Sequence, residues 1–160
     1  MSDVHPNVSR VVSAAKERGL EINTKRFPEG TKTAADAAAA IGVTVGQIVK
    51  SLVFGVDGEI VMALVSGSNQ LDEKKLALAA GGAKCARVDA DAVREATGYP
   101  IGGVPPFGHT TQLRVFVDPD LFSTTRCGLQ QEHGTTTLLL HRTNSCASAV
   151  EWSPTSSVEV

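Results

Sequence analysis

The residues with the clearest chemical potential form a run of glycine and proline, Gly98-Tyr99-Pro100-Ile101-Gly102-Gly103-Val104-Pro105-Pro106-Phe107-Gly108-His109. Glycine lets backbone amides approach a ligand closely, whereas proline fixes φ and removes donors, so the mixture predicts a stiff loop with selected amides exposed. Such amides can hold an oxyanion or an ester carbonyl. A Gly/Pro run can also be only a turn between two elements. The length of this run, with Phe107 and His109 in it, favours the wall of a binding pocket.

A second candidate is Lys50, which stands in the otherwise apolar strand-like segment Ile48-Val49-Lys50-Ser51-Leu52-Val53-Phe54. Most strand lysines simply extend to water. A strand lysine that faces the amide loop would instead place a cation beside ester or phosphate oxygens, where it stabilises developing negative charge. His109, which ends the loop, is a candidate for ligand contact or an ordinary loop histidine.

Other chemistries lack their sequence signatures. No Gly-x-Ser-x-Gly elbow occurs, which disfavours covalent catalysis by a serine. His133 and His141, with Cys127 and Cys146 nearby, fit no usual zinc spacing. No Gly-Lys-Ser/Thr phosphate-binding loop follows the glycines, so nucleotide hydrolysis is unsupported. We therefore expect no metal and no other cofactor.

The elements that position these groups alternate along the chain. Apolar spacing and capping residues predict helices over Pro6–Arg18, Thr33–Ile41, Asp72–Ala80 and Asp89–Thr97. Strands are predicted over Leu20–Phe27, Ile48–Val56, Glu59–Val65, Lys84–Val88, Gln112–Asp118 and Thr135–His141. Asp57-Gly58 is a hairpin signal, and the apolar strand after it is expected to be covered on both faces. This order predicts a mixed α/β (α+β) fold.

Length and composition limit the class of protein. The 160 residues fit one domain, predicted over 1–152, and residues 153–160 carry too little apolar surface and are predicted to be a flexible tail. A formal net charge of −2 argues against a protein that coats nucleic acid, and no DNA-binding motif is present. Three scattered cysteines indicate reduced thiols. With no signal peptide or membrane-length apolar run, we expect a soluble, cytoplasmic protein with no membrane partner.

Three segments together carry a family resemblance: Phe27–Ala35, Gln47–Phe54 and Thr97–His109. They resemble the YbaK/EbsC family, the trans-editing domains related to the insertion domain of bacterial prolyl-tRNA synthetase. The resemblance covers Val8 to Leu121. It implies a central mixed, barrel-like β-sheet flanked by helices. It also implies an aminoacyl-tRNA deacylase that hydrolyses the ester of a mischarged tRNA carrying a small amino acid, with alanine, serine, threonine, cysteine and non-protein analogues all open.

The resemblance assigns roles to particular residues. Lys50 matches the family's functional lysine and is expected to be catalytic. The resemblance places substrate-binding residues at the end of a strand and in the loop, and His109 is added because it adjoins the loop. The expected substrate-binding residues are Ser66, Gly67, Gly102, Gly103, Val104, Pro105, Pro106, Phe107, Gly108 and His109. The expected partner is the acceptor end of an aminoacyl-tRNA, with an aminoacyl-tRNA synthetase as a further candidate.

The sequence departs from the family pattern after Ser123, where Cys127–Gly134 replaces an Ala/Gly-rich turn. The alternative is therefore a non-catalytic module of the same fold that binds aminoacyl-tRNA or a synthetase.

Overall fold

The structure is a computed structural model that describes residues 6–17, 23–26, 33–100, 104–106, 108–118, 120–121, 126–130 and 136–141. Within these ranges the helices are α1 (Pro6–Glu17), α2 (Ala34–Ile41), α3 (Glu73–Ala79) and α4 (Ala90–Thr97), with a 3-10 turn at Val45–Gln47. The strands are β1 (Asn23–Arg26), β2 (Ile48–Val56), β3 (Glu59–Ser66), β4 (Cys85–Arg87), β5 (Arg114–Val117), β6 (Arg126–Gln130) and β7 (Thr136–His141).

The strands form one mixed sheet in the order β1-β7-β6-β2-β3-β5. The β2–β3 hairpin is antiparallel, while β5 runs parallel to β3 and β6 runs parallel to β2. One edge of β2 has two partners, because β6 pairs with its first residues and β4 pairs with its last three. The predicted mixed α+β single-domain class is confirmed.

Helices cover the two faces of the central hairpin. On one face, residues of α1 and α4 join a buried cluster with Val49, Met62 and Leu64. On the other face, Leu76 of α3 packs with Val61, Ala63 and Val65 and with neighbouring apolar residues of β2 and β5. Residues 61–65 of the predicted apolar run are therefore buried, as is Ser66 after them, whereas Ile60 is half-buried.

Local signals explain the main boundaries. Thr33 and Asp36 form a capping box at the start of α2, each side chain accepting a hydrogen bond from the other's backbone amide at 3.1 Å. The β2–β3 turn has positive φ at Asp57 (48°) and Gly58 (90°), which an Asp-Gly pair adopts readily.

The structure also corrects the sequence prediction. Strand β6 was not predicted, because its stretch Arg126-Cys127-Gly128-Leu129-Gln130 lacks apolar alternation and is held by partners on both sides. The strand predicted over Gln112–Asp118 is limited to Arg114–Val117, and the one predicted over Lys84–Val88 to Cys85–Arg87. The domain limit at residue 152 and the tail 153–160 lie outside the described residues.

Among the described residues, no helix is long and apolar enough to cross a membrane. The same part of the chain contains no cluster of three or more His, Cys, Asp or Glu residues able to hold a metal ion.

Candidate functional site

Polar side chains gather at the edge of the sheet where β2 begins and where β3 and β5 end. Because β3 and β5 are parallel, their carboxyl ends meet at one edge, and antiparallel pairing brings the start of β2 to the same place. Lys50 lies opposite Val65, and Val49 lies opposite Ser66, the last residue of β3. The sheet thus brings a cation beside the polar segment that follows β3.

Lys50 is half-buried and its ammonium donates a hydrogen bond to the main-chain oxygen of Asn69. Side chains alternate along a strand, so Lys50 shares a face with Leu52 and Phe54, which pack on the α3 side of the sheet. The Lys50 ammonium is therefore held against the turn after β3 and does not simply extend into solvent.

A network of hydrogen bonds surrounds this contact; we call its members, Lys50, Ser66, Asn69, Asp118 and Asp120, the strand-end cluster. The Asp118 side chain is only 1% exposed and accepts from the Ser66 amide at 3.0 Å, the Asn69 side-chain amide at 2.8 Å and the Asp120 amide at 3.0 Å. Asn69 also donates to the Asp120 carboxylate at 2.7 Å. Three bonds satisfy a buried carboxylate that would otherwise be costly to desolvate.

The expected site residues Ser66 and Gly67 belong to the turn that carries this cluster. The Ser66 hydroxyl donates to Gly46 O at 2.7 Å and lies 3.1 Å from the Ser68 hydroxyl. The Gly67 amide donates to Ile48 O at 2.6 Å, and a Cβ at Gly67 would lie 2.3 Å from Val45 O. Only glycine permits this approach of two backbones, so Gly67 is required by packing before any ligand is considered.

The described part of the Gly/Pro loop packs against the opposite face of the sheet. Val104 is 2% exposed and belongs to the cluster that contains Val49. Pro105 and Pro106 are buried as well, and His109 Nε2 lies 2.6 Å from Pro105 O. That histidine contact links the two ends of the segment from Pro105 to His109.

Helix α1 braces the same loop. The Arg10 guanidinium lies 4.6 Å from the centre of the Tyr99 ring and donates to Gly98 O at 3.3 Å. Tyr99 is fully buried and meets the His109 ring edge-on at 6.3 Å. Gly108 has a φ of 73°, and a Cβ there would lie 2.7 Å from the Tyr99 hydroxyl, so a side chain at this position would displace the loop.

The structure therefore brings Lys50, Ser66 and Gly67 together and holds Val104, Pro105, Pro106, Gly108 and His109 as a second group on the other face. Lys50 and the described part of the loop therefore lie on opposite faces of the sheet, although Val104 belongs to the same buried cluster as Val49, the residue before Lys50. Gly102, Gly103 and Phe107 lie outside the described residues. The arrangement supplies a hydrogen-bonded cation near the strand ends and a loop with a contact between His109 and Pro105 O, two features that an ester or phosphate ligand would use.

Sequence reasoning missed Asn69, Asp118, Asp120 and Arg10. The first three carry a signal that could have been used: polar residues follow directly after two apolar strands. Once β3 and β5 are recognised as parallel, these positions must share an edge. Arg10 gave no such signal, because its spacing on α1 is that of an ordinary solvent-facing residue.

The family relationship follows from comparison with known proteins. The family model for the aminoacyl-tRNA editing domain matches residues 28–143, which is well over half of the chain. The chain belongs to the aminoacyl-tRNA editing domain family. The match continues past Leu121, the end of the resemblance in the sequence motifs, and includes strand β6, which the sequence did not predict.

Relatives of this editing domain include longer proteins. It is 36% identical over 96 residues to a proline--tRNA ligase of Maridesulfovibrio salexigens, covering 60% of this chain and 16% of the ligase. It is 39% identical over 92 residues to the ligase of Geobacter sp. (strain M21), covering 58% of this chain and again 16% of the ligase. The matched part of this chain thus corresponds to about a sixth of each ligase.

A solved structure matches nearly all of the editing domain. It is the crystal structure of a protein proposed to be a trans-editing enzyme for prolyl tRNA synthetase. The TM-score is 0.85 with 33% sequence identity, and the match covers 99% of both chains. The fold is therefore shared with this protein over nearly the full length of both chains.

Proposed function

We propose that this editing domain is a trans-editing aminoacyl-tRNA deacylase. It hydrolyses the ester that joins a wrong, small amino acid to the terminal adenosine of a tRNA. Family membership supports the substrate class, and the relatives support a tRNA charged by prolyl-tRNA synthetase as the partner. The cytoplasm, where charged tRNA is used, is the proposed location.

The observation that carries the proposal is the anchored ammonium of Lys50 at the end of the sheet. An ester placed across this end would meet Lys50 from one face and the Gly/Pro loop from the other. Lys50 would offset the negative charge that develops on the ester oxygens, and loop amides would hold the carbonyl. Because Lys50 is already held by its hydrogen bond to Asn69 O before the substrate arrives, placing its charge would require little reorganisation.

The chemistry needs no protein nucleophile. A water oxygen bonds to the ester carbon, the bond from that carbon to the ribose oxygen breaks, and the ribose oxygen takes up a proton. The neighbouring ribose hydroxyl is well placed to relay that proton as an internal acid and base. The products are the free amino acid and the uncharged tRNA.

Selection by size would come from the loop. Pro105 and Pro106 are buried and conformationally fixed, so the loop is poorly able to yield to a larger side chain. One methylene group changes binding by only about 1 to 3 kcal/mol, so steric exclusion alone separates neighbouring amino acids incompletely. We propose that the domain accepts a small set of side chains and leaves further selection to the tRNA or to a synthetase partner.

The test is release of amino acid from a panel of alanyl-, seryl-, threonyl- and cysteinyl-tRNAs, with the tRNA for proline included as carrier. Replacing Lys50 with alanine should lower kcat by roughly 10²-fold to 10³-fold, the loss typical for removing one preorganised charge-stabilising group. Lys16→Ala, which removes an exposed lysine of α1, is the matched control and should keep wild-type rates.

Two results would contradict the proposal. Full activity in a folded Lys50→Ala protein would remove the lysine from the chemistry. No release above spontaneous hydrolysis by the wild type, together with retained binding of aminoacyl-tRNA, would identify the chain as a binding module.

A further inference from the structure

The turn after β3 is held in place from three sides, and this determines where Lys50 can lie. The Asn69 amide nitrogen of the main chain donates to Ser66 O at 2.9 Å. Its side chain is bound by Asp118 and Asp120, and its main-chain oxygen accepts the Lys50 ammonium. Asn69 therefore connects a buried carboxylate to the proposed catalytic cation.

The orientation of the Asn69 side chain is fixed by chemistry. Ionised carboxylates only accept hydrogen bonds, so the NH₂ group of Asn69 must point at Asp118 and Asp120. One NH₂ nitrogen serves both, at 2.8 and 2.7 Å, and uses both of its hydrogens. No other residue type of this size supplies two donors from one nitrogen: aspartate supplies none when ionised, and serine supplies one.

The anchor of this arrangement is deep in the fold. Asp118 follows β5 directly, its own amide donates to Leu64 O at 2.8 Å, and its side chain is 1% exposed. Asp120 is exposed, and its carboxylate accepts a hydrogen bond from the Asn69 side chain on the solvent side. Movement of the turn would break its hydrogen bonds to the buried Asp118 carboxylate. Because water cannot readily replace these bonds, they oppose displacement of the turn.

We propose that Asn69 is the positioning residue for Lys50, and that the buried Asp118 acts on the lysine through it. The side chain of Asn69 fixes the turn, and the main-chain oxygen of the same residue fixes the direction of the ammonium. The catalytic meaning of this inference rests on the proposed function, but the positioning of Lys50 can be measured without it.

The direct measurement is the rate at which acetic anhydride modifies the Lys50 amine in the full-length folded protein, followed by peptide mass spectrometry. Asn69→Asp keeps the shape and removes both donors, and Asn69→Ala removes the side chain. Both should raise Lys50 modification about threefold to tenfold as the ammonium loses its fixed partner. Asp72→Asn, which alters a carboxylate that caps α3, is the matched control and should leave the rate unchanged.

Kinetics supply a second readout. If the wild type deacylates, both Asn69 variants should lower kcat by roughly 10-fold to 100-fold with KM within about twofold, because a displaced group affects the transition state more than binding. A purely structural role would lower the melting temperature and leave Lys50 modification and kcat unchanged. That result, in proteins that remain folded, would overturn the inference.

A milder variant keeps the test decisive if the Asn69 variants do not fold. Asp120→Ala removes one of the two carboxylates from the exposed side and should change Lys50 modification in the same direction by a smaller factor. An unchanged rate in folded Asp120→Ala would then contradict the inference. An inactive wild type with a modification rate that responds to Asn69 would refute the proposed function and leave the positioning role supported.

Discussion

Replacing Gly67 with alanine should test how tightly the turn after β3 is packed. The added Cβ would lie 2.3 Å from Val45 O and 3.2 Å from both Ile48 Cβ and Ile48 O. These neighbours are main-chain atoms or an atom fixed to the main chain, so rotation of a flexible side chain cannot relieve the clash. The turn must move away from the start of β2, which weakens the bond from the Gly67 amide to Ile48 O, now 2.6 Å long.

The expected loss of stability has two parts. Overpacking against a fixed neighbour costs about 1 to 3 kcal/mol. A backbone hydrogen bond contributes about 0.5 to 1.5 kcal/mol. Together they predict that Gly67→Ala lowers the free energy of unfolding by about 1.5 to 4.5 kcal/mol. For a protein of this size that corresponds to a fall in Tm of roughly 3 to 18 °C.

Gly42→Ala is the matched control, since Gly42 also ends an element but has open space around its Cβ position. Its φ of 73° makes alanine unfavourable by about 1 to 2 kcal/mol, which predicts a smaller fall in stability. Both proteins are compared with the wild type by thermal melting and by urea denaturation. A Gly67→Ala protein as stable as Gly42→Ala would show that the approach of the two backbones has room for a methyl group, and the argument from close packing would fail.

Two further predictions concern the loop brace and the hairpin. Arg10→Lys should lower the free energy of unfolding by about 1 kcal/mol, because a compact ammonium replaces the planar group that stacks on Tyr99 and bonds Gly98 O; an unchanged urea midpoint would show that the brace contributes nothing. At the hairpin, the backbone amides of Ala83 and Lys84 donate to Asp57 and lower its pKa below its ordinary 3.8. The stabilisation from the ionised Asp57 carboxylate is present above pH 3.8 and is lost as the pH falls through the lowered pKa. The urea midpoints of the wild type and Asp57→Asn should therefore converge in acid. A difference between the two midpoints that stays constant from pH 7 to 2 would contradict this.

The sequence predicted most elements because their signals are local. The capping box of α2 and the Asp-Gly turn of the β2–β3 hairpin each need only neighbouring residues. Strand β6 could not be found in this way, because its polar and glycine-containing segment is a strand only through its partners β2 and β7. Nonlocal pairing therefore set the limit of prediction.

The candidate site likewise contains residues that local sequence could identify and contacts that depend on nonlocal strand pairing. Lys50 stands out in an apolar strand, and Gly67 follows one, so both could be selected from sequence. Their surroundings depend on which strand lies beside which. Asp118 is 49 positions from Asn69, and only the parallel pairing of β3 with β5 brings the two side chains to 2.8 Å. The hydrogen bond between Asn69 and Asp118 could therefore not be predicted without the order of the strands.

The pairing of β1 with β7 bears on how such a domain can be joined to other proteins. Asn23 on β1 lies opposite Leu139 on β7, and strands paired in this way are only about 5 Å apart. Among the described strands, the chain therefore enters and leaves the sheet at neighbouring points. A unit with adjacent entry and exit can be placed within a surface loop of a host protein without stretching either partner. This geometry is compatible with matches both to nearly the whole of a solved chain and to about a sixth of a much longer ligase.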